Sequence, residues 1–187
     1  MLVSTYYSTS QLDTLRELSN IGAGNAATAL SSILGEAVLI SITELQLNEN
    51  EIKELSLNDD IIFSCHPVLG KISGEIWVKF TQTDADHIVS LLEKETPLAR
   101  NLILSEVSHI LCGSYVTAWG NMFESPLDLL PPSLMTHSSA LARSVETCVQ
   151  LNLKNNLKIG TQELGCSIQF NLSETVLNHL LTQCHVA

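Results

Sequence analysis

Basic residues are scarce in this 187-residue chain, which holds 9 Lys and Arg against 20 Asp and Glu for a formal net charge of −11. No basic run occurs. Phosphate backbones and anionic bilayers are held by clustered cations, so the composition argues against nucleic acid and membrane surfaces as partners. No apolar stretch approaches the ~20 residues of a membrane span. The N-terminus, MLVSTYYSTSQL, lacks the basic-then-apolar order of a signal peptide, so a cytoplasmic location is expected. The five cysteines (Cys65, Cys112, Cys148, Cys166, Cys184) are odd in number, widely spaced and form no CxxC, which predicts free, mostly buried thiols. Metal ligation is not expected either. His109 and Cys112 are one helical turn apart but have no matching pair elsewhere, and the neighbours Cys65–His66 and Cys184–His185 cannot easily chelate together. Neither Ser19 nor Ser108 sits in a nucleophile elbow, which removes a serine hydrolase.

What is present is a long helical pattern, Leu12 to Leu34, LDTLRELSNIGAGNAATALSSIL. With about 100° per residue, Leu12, Leu15, Leu18, Gly22, Ala26, Ala29, Leu30 and Ile33 fall in one arc, a core stripe. Asp13, Asn20, Gly24, Thr28 and Ser31 gather around Glu17 on the other side. Glu17 and Asn20, at i and i+3, project from the same face. Gly22 lies on the core side, where it permits close helix packing. Gly24 lies beside Glu17 and Asn20 and leaves that face bare. A mid-helix glycine costs about 1 kcal/mol relative to alanine, and close approach of a partner would offset it.

After this helix, Val38, Ile40 and Ile42 alternate as a strand, followed by Ile61–Cys65, a turn at Pro67–Gly70, and a strand from Lys71 to Phe80. A capped helix is expected from Asp84 to about Glu95. The pattern then repeats. Leu102 to Phe123 reads as a second amphipathic helix with Leu104, Val107, Leu111, Tyr115, Ala118, Trp119 and Met122 inward. Ser138 to Val149 is read as strand-like, with a helix around Ala140, Leu141 and Ala142 as the alternative. Val149 to Lys154 alternates clearly, Asn155–Asn156 signals a turn, and Leu157–Glu163 with Cys166–Phe170 reads as a strand pair. A last helix is expected from Glu174 to about Gln183.

The halves align at a fixed offset. Glu17 maps to Glu106, Asn20 to His109, Ile21 to Ile110, Gly24 to Gly113 and Thr28 to Thr117, each step being 89 residues, while Phe80 maps to Phe170 at 90. The expected architecture is therefore α+β: an internally duplicated helix–strands–helix unit, in which one mainly antiparallel sheet of about six strands carries two long amphipathic helices on one side. A single domain over 1–187 is expected, with pseudo-repeats at about 10–97 and 99–187. Because the duplication is internal, a monomer suffices.

An acid and an amide on one helix face make neither a nucleophile–base pair nor a metal site. The Asn20 amide can donate to one group and accept from another, which is a way to hold a water. Phosphoryl transfer needs little more from its nucleophile than in-line placement. Glu17 could hold a cation or a lysine of a substrate protein. A lone E-x-x-N occurs by chance on many exposed helices; here the acid, isoleucine, glycine and threonine recur at the same spacing.

The run E-L-S-N-I-G-A-G-N-A-A-T-A-L-S, Glu17 to Ser31, resembles the signature of the CheC family of chemotaxis phosphatases, in the CheC/CheX/FliY superfamily. The run Glu106-V-S-His109-I-L-C-G-S-Tyr115 resembles its second copy. The resemblance extends over nearly the whole chain in its duplicated order. It implies a protein that dephosphorylates the phospho-aspartate of a CheY-like response regulator. In that family the asparagine orients the hydrolytic water and the acid pairs with a lysine of the regulator. The resemblance implies no cofactor of the chain's own, with Mg2+ on the regulator, and a CheD-type deamidase as a further possible partner. Carried over, Glu17 and Asn20 form one complete site, with Ile21 and Gly24 as partner contacts. Glu106, Ile110 and Gly113 match the second, but His109 replaces its asparagine. A neutral imidazole has one acceptor nitrogen and a protonated one has none, so the second site is expected to be weak, altered or silent. The alternative is a non-catalytic module that binds a receiver domain, a deamidase or the flagellar switch, because a fold does not imply an activity.

Overall fold

Ser8 and Gln11 set the first helix. The Ser8 hydroxyl accepts from Gln11 N–H at 3.2 Å, and the Gln11 amide oxygen accepts from Ser8 N–H at 2.8 Å, a reciprocal capping box. Helix α1 (Thr9–Leu34) therefore begins before the apolar period does, and it ends at Gly35, whose φ of 68° is the left-handed cap conformation. The structure is a computed structural model that describes residues 8–49, 61–92, 100–136 and 149–183.

The remaining elements, in chain order, are β1 (Val38–Glu49), β2 (Ile61–Gly70), β3 (Gly74–Thr81), α2 (Gln82–Leu92), α3 (Arg100–Met122), β4 (Leu127–Leu129), β5 (Ser133–Thr136), β6 (Val149–Ile159), β7 (Gln162–Leu172) and α4 (Glu174–Gln183). The strands form one antiparallel sheet of order β1-β6-β7-β3-β2-β4, with β5 also on β2. Among the described residues the sheet has seven strands, one more than the about six expected. The difference lies at one edge, where β4 and β5 share the flank of β2 on either side of Pro131–Pro132. Ile76, Val78 and Phe80 of β3 and Ile168 and Phe170 of β7 enter one core with Leu15 and Leu18 of α1, Ile88 of α2, Leu111 of α3 and Leu177 of α4. All four described helices thus cover the same sheet face. On the other face Phe63 packs edge-on against Trp77 at 6.0 Å, with buried Cys65 beside them. No helix among the described residues is long and apolar enough to cross a membrane.

The duplication is built into the hydrogen bonding. In the central β3–β7 ladder Val78 faces Ile168, its own counterpart 90 residues later, and Ile76–Phe170 mirrors Phe80–Cys166. A pseudo-twofold therefore passes through the Val78–Ile168 pair. It carries β1 onto the β4–β5 edge, 89 residues on, and α1 onto α3. The edges are exchanged: β1 of the first repeat pairs with β6 of the second, and β4 and β5 of the second pair with β2 of the first.

Two expected turns are strand instead. Pro67 and its neighbours continue β2 to Gly70. Proline has no N–H to give, and Pro67 falls in the gap between β5 and β4, where its carbonyl accepts from Leu130 N–H at 2.9 Å. Asn155–Asn156 lies inside β6; Asn155 is buried and its amide oxygen accepts from the Tyr115 hydroxyl at 3.0 Å, so a tertiary bond overrides its turn preference. The strand expected at Ser138 to Val149 lies outside the described residues apart from Val149. Ile33 and Met122, placed on the core arcs, are 52% and 43% exposed, because Leu30 and Trp119 already fill the inward positions near each helix end.

The two helix caps differ. Gly35 has its counterpart, 89 residues on, in Glu124, a non-glycine held at φ 45° after α3. Ser125 N–H still reaches Gly120 O at 2.9 Å there. A left-handed backbone is strained for a side chain and free for glycine. Glu124→Gly is expected to raise stability by roughly 0.5–1 kcal/mol, read as a higher urea midpoint at unchanged slope.

Candidate functional site

Helix α1 meets α3 on its glycine side. A Cβ on Gly22 would lie 2.6 Å from Cδ1 of Tyr115, so only glycine admits the buried ring at this distance. Tyr115 is held in turn by Asn155 and by the edge of Phe170 at 5.9 Å. This close packing fixes the rotation of α1 and turns Glu17, Asn20, Ile21, Gly24 and Thr28 to solvent.

The sequence-predicted first site is therefore open. Neither Glu17 nor Asn20 makes a side-chain hydrogen bond or an ion pair among the described residues, so both polar ends are available. Ile21 is 47% exposed. A Cβ on Gly24 would meet nothing within 4 Å, so this glycine serves no packing within the chain. Thr28 is occupied locally, its hydroxyl donating to Gly24 O at 3.0 Å. The face offers one unpaired carboxylate, one amide and one apolar side chain beside a bare turn, with no nucleophile–base pair; Asp13 on the same face is ion-paired with Arg16.

The second face is built differently. Glu106 is exposed, like its counterpart. His109 turns inward and stacks on His66 of β2, with ring centres 5.7 Å apart and planes at 29°. Ile110 is half-buried and packs on the core. Gly113 faces β4, where an added Cβ would lie 3.8 Å from Leu129 Cδ2. The structure thus gathers Glu17, Asn20, Ile21 and Gly24 on one open surface, whereas His109, Ile110 and Gly113 lean on the sheet and its edge.

His66 and Ser64 were not singled out from sequence as site residues. His66 is fully buried, and its Nε2 lies 3.1 Å from the hydroxyls of both Ser64 and Ser108, which are 2.7 Å apart. Ser108 donates to Ser105 O at 2.9 Å, so Ser64 donates to Ser108 and His66 supplies an Nε2–H to the pair. Its Nδ1 is buried without a partner. Protonation would put an N–H there facing no acceptor. Burial, followed by the neighbouring His109, lowers the His66 pKa to about 4. The signal available in the sequence was two polar residues, Ser64 and His66, at inward positions of an otherwise apolar strand. The residue 89 positions after His66 is Asn155, taken up by Tyr115, so no imidazole lies beneath α1.

Among the described residues no group of three or more His, Cys, Asp or Glu could hold a metal ion. Cys65, Cys112 and Cys166 are buried and form no disulfide. Burial pushes the Cys112 thiol well up and the Cys166 thiol up to about 12, which makes both poor nucleophiles.

A helix-flanked duplicated sheet of this kind defines a known structural class. The fold matches FliY of Thermotoga maritima with a TM-score of 0.79 at 14% identity, covering 97% of this chain and 98% of that one. It matches FliM in the FliG–FliM complex of H. pylori at TM-score 0.73 and 14% identity (92% and 100% covered). CheX in the CheX–CheY–BeF3–Mg complex of Borrelia burgdorferi matches at TM-score 0.52 and 15% identity (84% and 97% covered). At the level of sequence, the CheC-like family model matches residues 11–41, which are α1 and the start of β1. The chain thus carries the CheC-like signature on its first helix within the fold shared by FliY, FliM and CheX. The matched stretch contains Glu17, Asn20, Ile21 and Gly24 and stops short of the second helix, where the repeat has departed from the pattern.

Proposed function

We propose that this chain dephosphorylates the phospho-aspartate of a CheY-like response regulator in chemotaxis signalling, using the α1 face. Asn20 holds the attacking water, its amide oxygen accepting from the water while its NH2 donates to a neighbouring oxygen. The water attacks phosphorus in line and the aspartate carboxylate leaves. Glu17 pairs with a lysine of the regulator, and Ile21 lies against it. The Mg2+ belongs to the regulator, where it neutralises charge on the phosphoryl group. The observation that carries this reading is that Glu17 and Asn20 stand free on one helix turn beside Gly24, a glycine with no internal use. The CheX–CheY complex supports a receiver domain as partner.

The test follows loss of acyl phosphate from a phosphorylated receiver domain, with Mg2+, with and without the protein. Acceleration is expected; decay at the spontaneous rate together with measurable binding would leave the second reading. That reading is a non-catalytic platform for a receiver domain, a CheD-type deamidase or the flagellar switch. It is supported by the FliG–FliM complex of H. pylori, in which a protein of this fold is held by a partner.

Gly24 gives a separate handle. Gly24→Phe is expected to keep or raise the unfolding midpoint, because the position is open and glycine is the weaker helix former. The same variant is expected to lose dephosphorylation by blocking docking. Retained activity at wild-type KM would show that the partner does not approach this turn.

A further inference from the structure

Among the described residues, the sheet face opposite the helices carries a cation that no carboxylate neutralises. Lys79 of β3 and Lys154 of β6 face Ser167 of β7 from either side. Directly opposed Cβ atoms lie about 5 Å apart, so both long side chains overhang one hydroxyl. Lys154 is ion-paired with Glu44. Lys79 has no carboxylate within ion-pairing distance among the described residues. Its Nζ donates to the Gln169 amide oxygen and lies 5.9 Å from the Phe63 ring centre. Burial alone lowers its pKa to about 8. An ammonium held this way destabilises the fold unless a counter-charge arrives.

Beside it the ends of these strands open into a cavity of about 330 Å3, lined by Lys79, Lys154, Ser167, Thr81 and Ile61, with Gly165 adding no side chain. The Ser167 hydroxyl has no side-chain partner among the described residues. Asp84 also lines the cavity, but both its oxygens are engaged. Oδ1 accepts from Gly165 N–H at 3.3 Å and Oδ2 from the Thr81 hydroxyl at 2.7 Å.

We propose that this cavity binds a small oxyanion, phosphate or carboxylate, held by Lys79 Nζ and the Ser167 hydroxyl, with Lys154 as the opposite wall. The site lies on the face away from α1 and does not depend on the phosphatase reading. The net charge of −11 repels anions at long range, so recognition rests on these local contacts and the affinity is modest.

The test titrates the full chain with inorganic phosphate, with acetate, and with chloride at matched ionic strength, following thermal unfolding and Lys79-side amide shifts by NMR. Phosphate or acetate is expected to raise the unfolding midpoint above the chloride control, and whichever acts at lower concentration names the source. Lys79→Met, which keeps the stem and removes the charge, is expected to bind roughly tenfold or more weakly. It is also expected to melt higher than wild type without anion. Ser167→Ala is expected to weaken binding with little change in the anion-free midpoint. With acetate, which keeps its charge throughout, binding to the wild type is expected to weaken as pH rises from about 7 to about 9, where Lys79 loses its own charge. No response beyond chloride, a full response in Lys79→Met, or binding that ignores this pH range would each overturn the proposal.

Discussion

Asn20→Ala is expected to slow dephosphorylation of a receiver domain by about a hundredfold, or to the spontaneous rate if that is reached first. The size follows from losing one positioned hydrogen-bonding group at the transition state, since Glu17 is engaged by a lysine of the regulator in this reading. The fold should not suffer. Asn20 is exposed and makes no side-chain hydrogen bond within the described chain, and alanine is the better helix former. The loss should therefore appear in kcat with binding of the receiver domain kept. Glu17→Gln removes a contact made equally in the ground state and should act mainly through KM. His109→Ala should leave the rate within about twofold of wild type, since its ring is spent on His66 rather than on a partner. A rate that falls with His109→Ala and not with Asn20→Ala would move the active face to α3.

Acid is expected to destabilise the protein through His66, by about 3 kcal/mol between neutral pH and about pH 4. The sign follows from proton counts. The folded-state pKa lies at about 4, below the ordinary 6.5. Between these values the unfolded chain binds a proton that the folded chain refuses, so stability is full above about 6.5 and is lost as pH falls toward 4. Carboxylates titrate at the low end of this window, so the readout is the difference between wild type and His66→Gln, whose amide can still donate to the serines. Urea unfolding at several pH values should give a flatter dependence for the variant. Parallel pH profiles would mean that His66 accepts a proton without cost. The stack with His109, ring centres 5.7 Å apart, ties this cluster to the second face.

The helix faces were legible because they depend on one period and one repeat. Gly22 at an inward position foretold the close helix contact that Tyr115 makes, and the offset of 89 residues foretold a twofold sheet. Asn155 and Pro67 misled because their local preferences point to turns, while a buried tyrosine hydroxyl and a gap between edge strands decided otherwise. The His66–Ser64–Ser108 cluster was not legible for the same reason. Its contacts to Ser108 join residues more than 40 apart, and a lone inward histidine names no partner. At the second site the departure at His109 could be read from the sequence, but its inward direction could not.

The exchanged edges bear on how the chain is made. When the first repeat has left the ribosome, β1 lacks its partner β6, whose residues lie 100 or more further along; Val38 waits for Ile159. The central pair β3–β7 waits for about 90 residues, Val78 for Ile168. The N-terminal half therefore cannot complete its sheet during synthesis, and nearly all of the barrier falls after the last strand is available. Folding should be a late, single closure of the whole sheet. Until then α1, with its apolar arc uncovered, is the part of the nascent chain most in need of a chaperone.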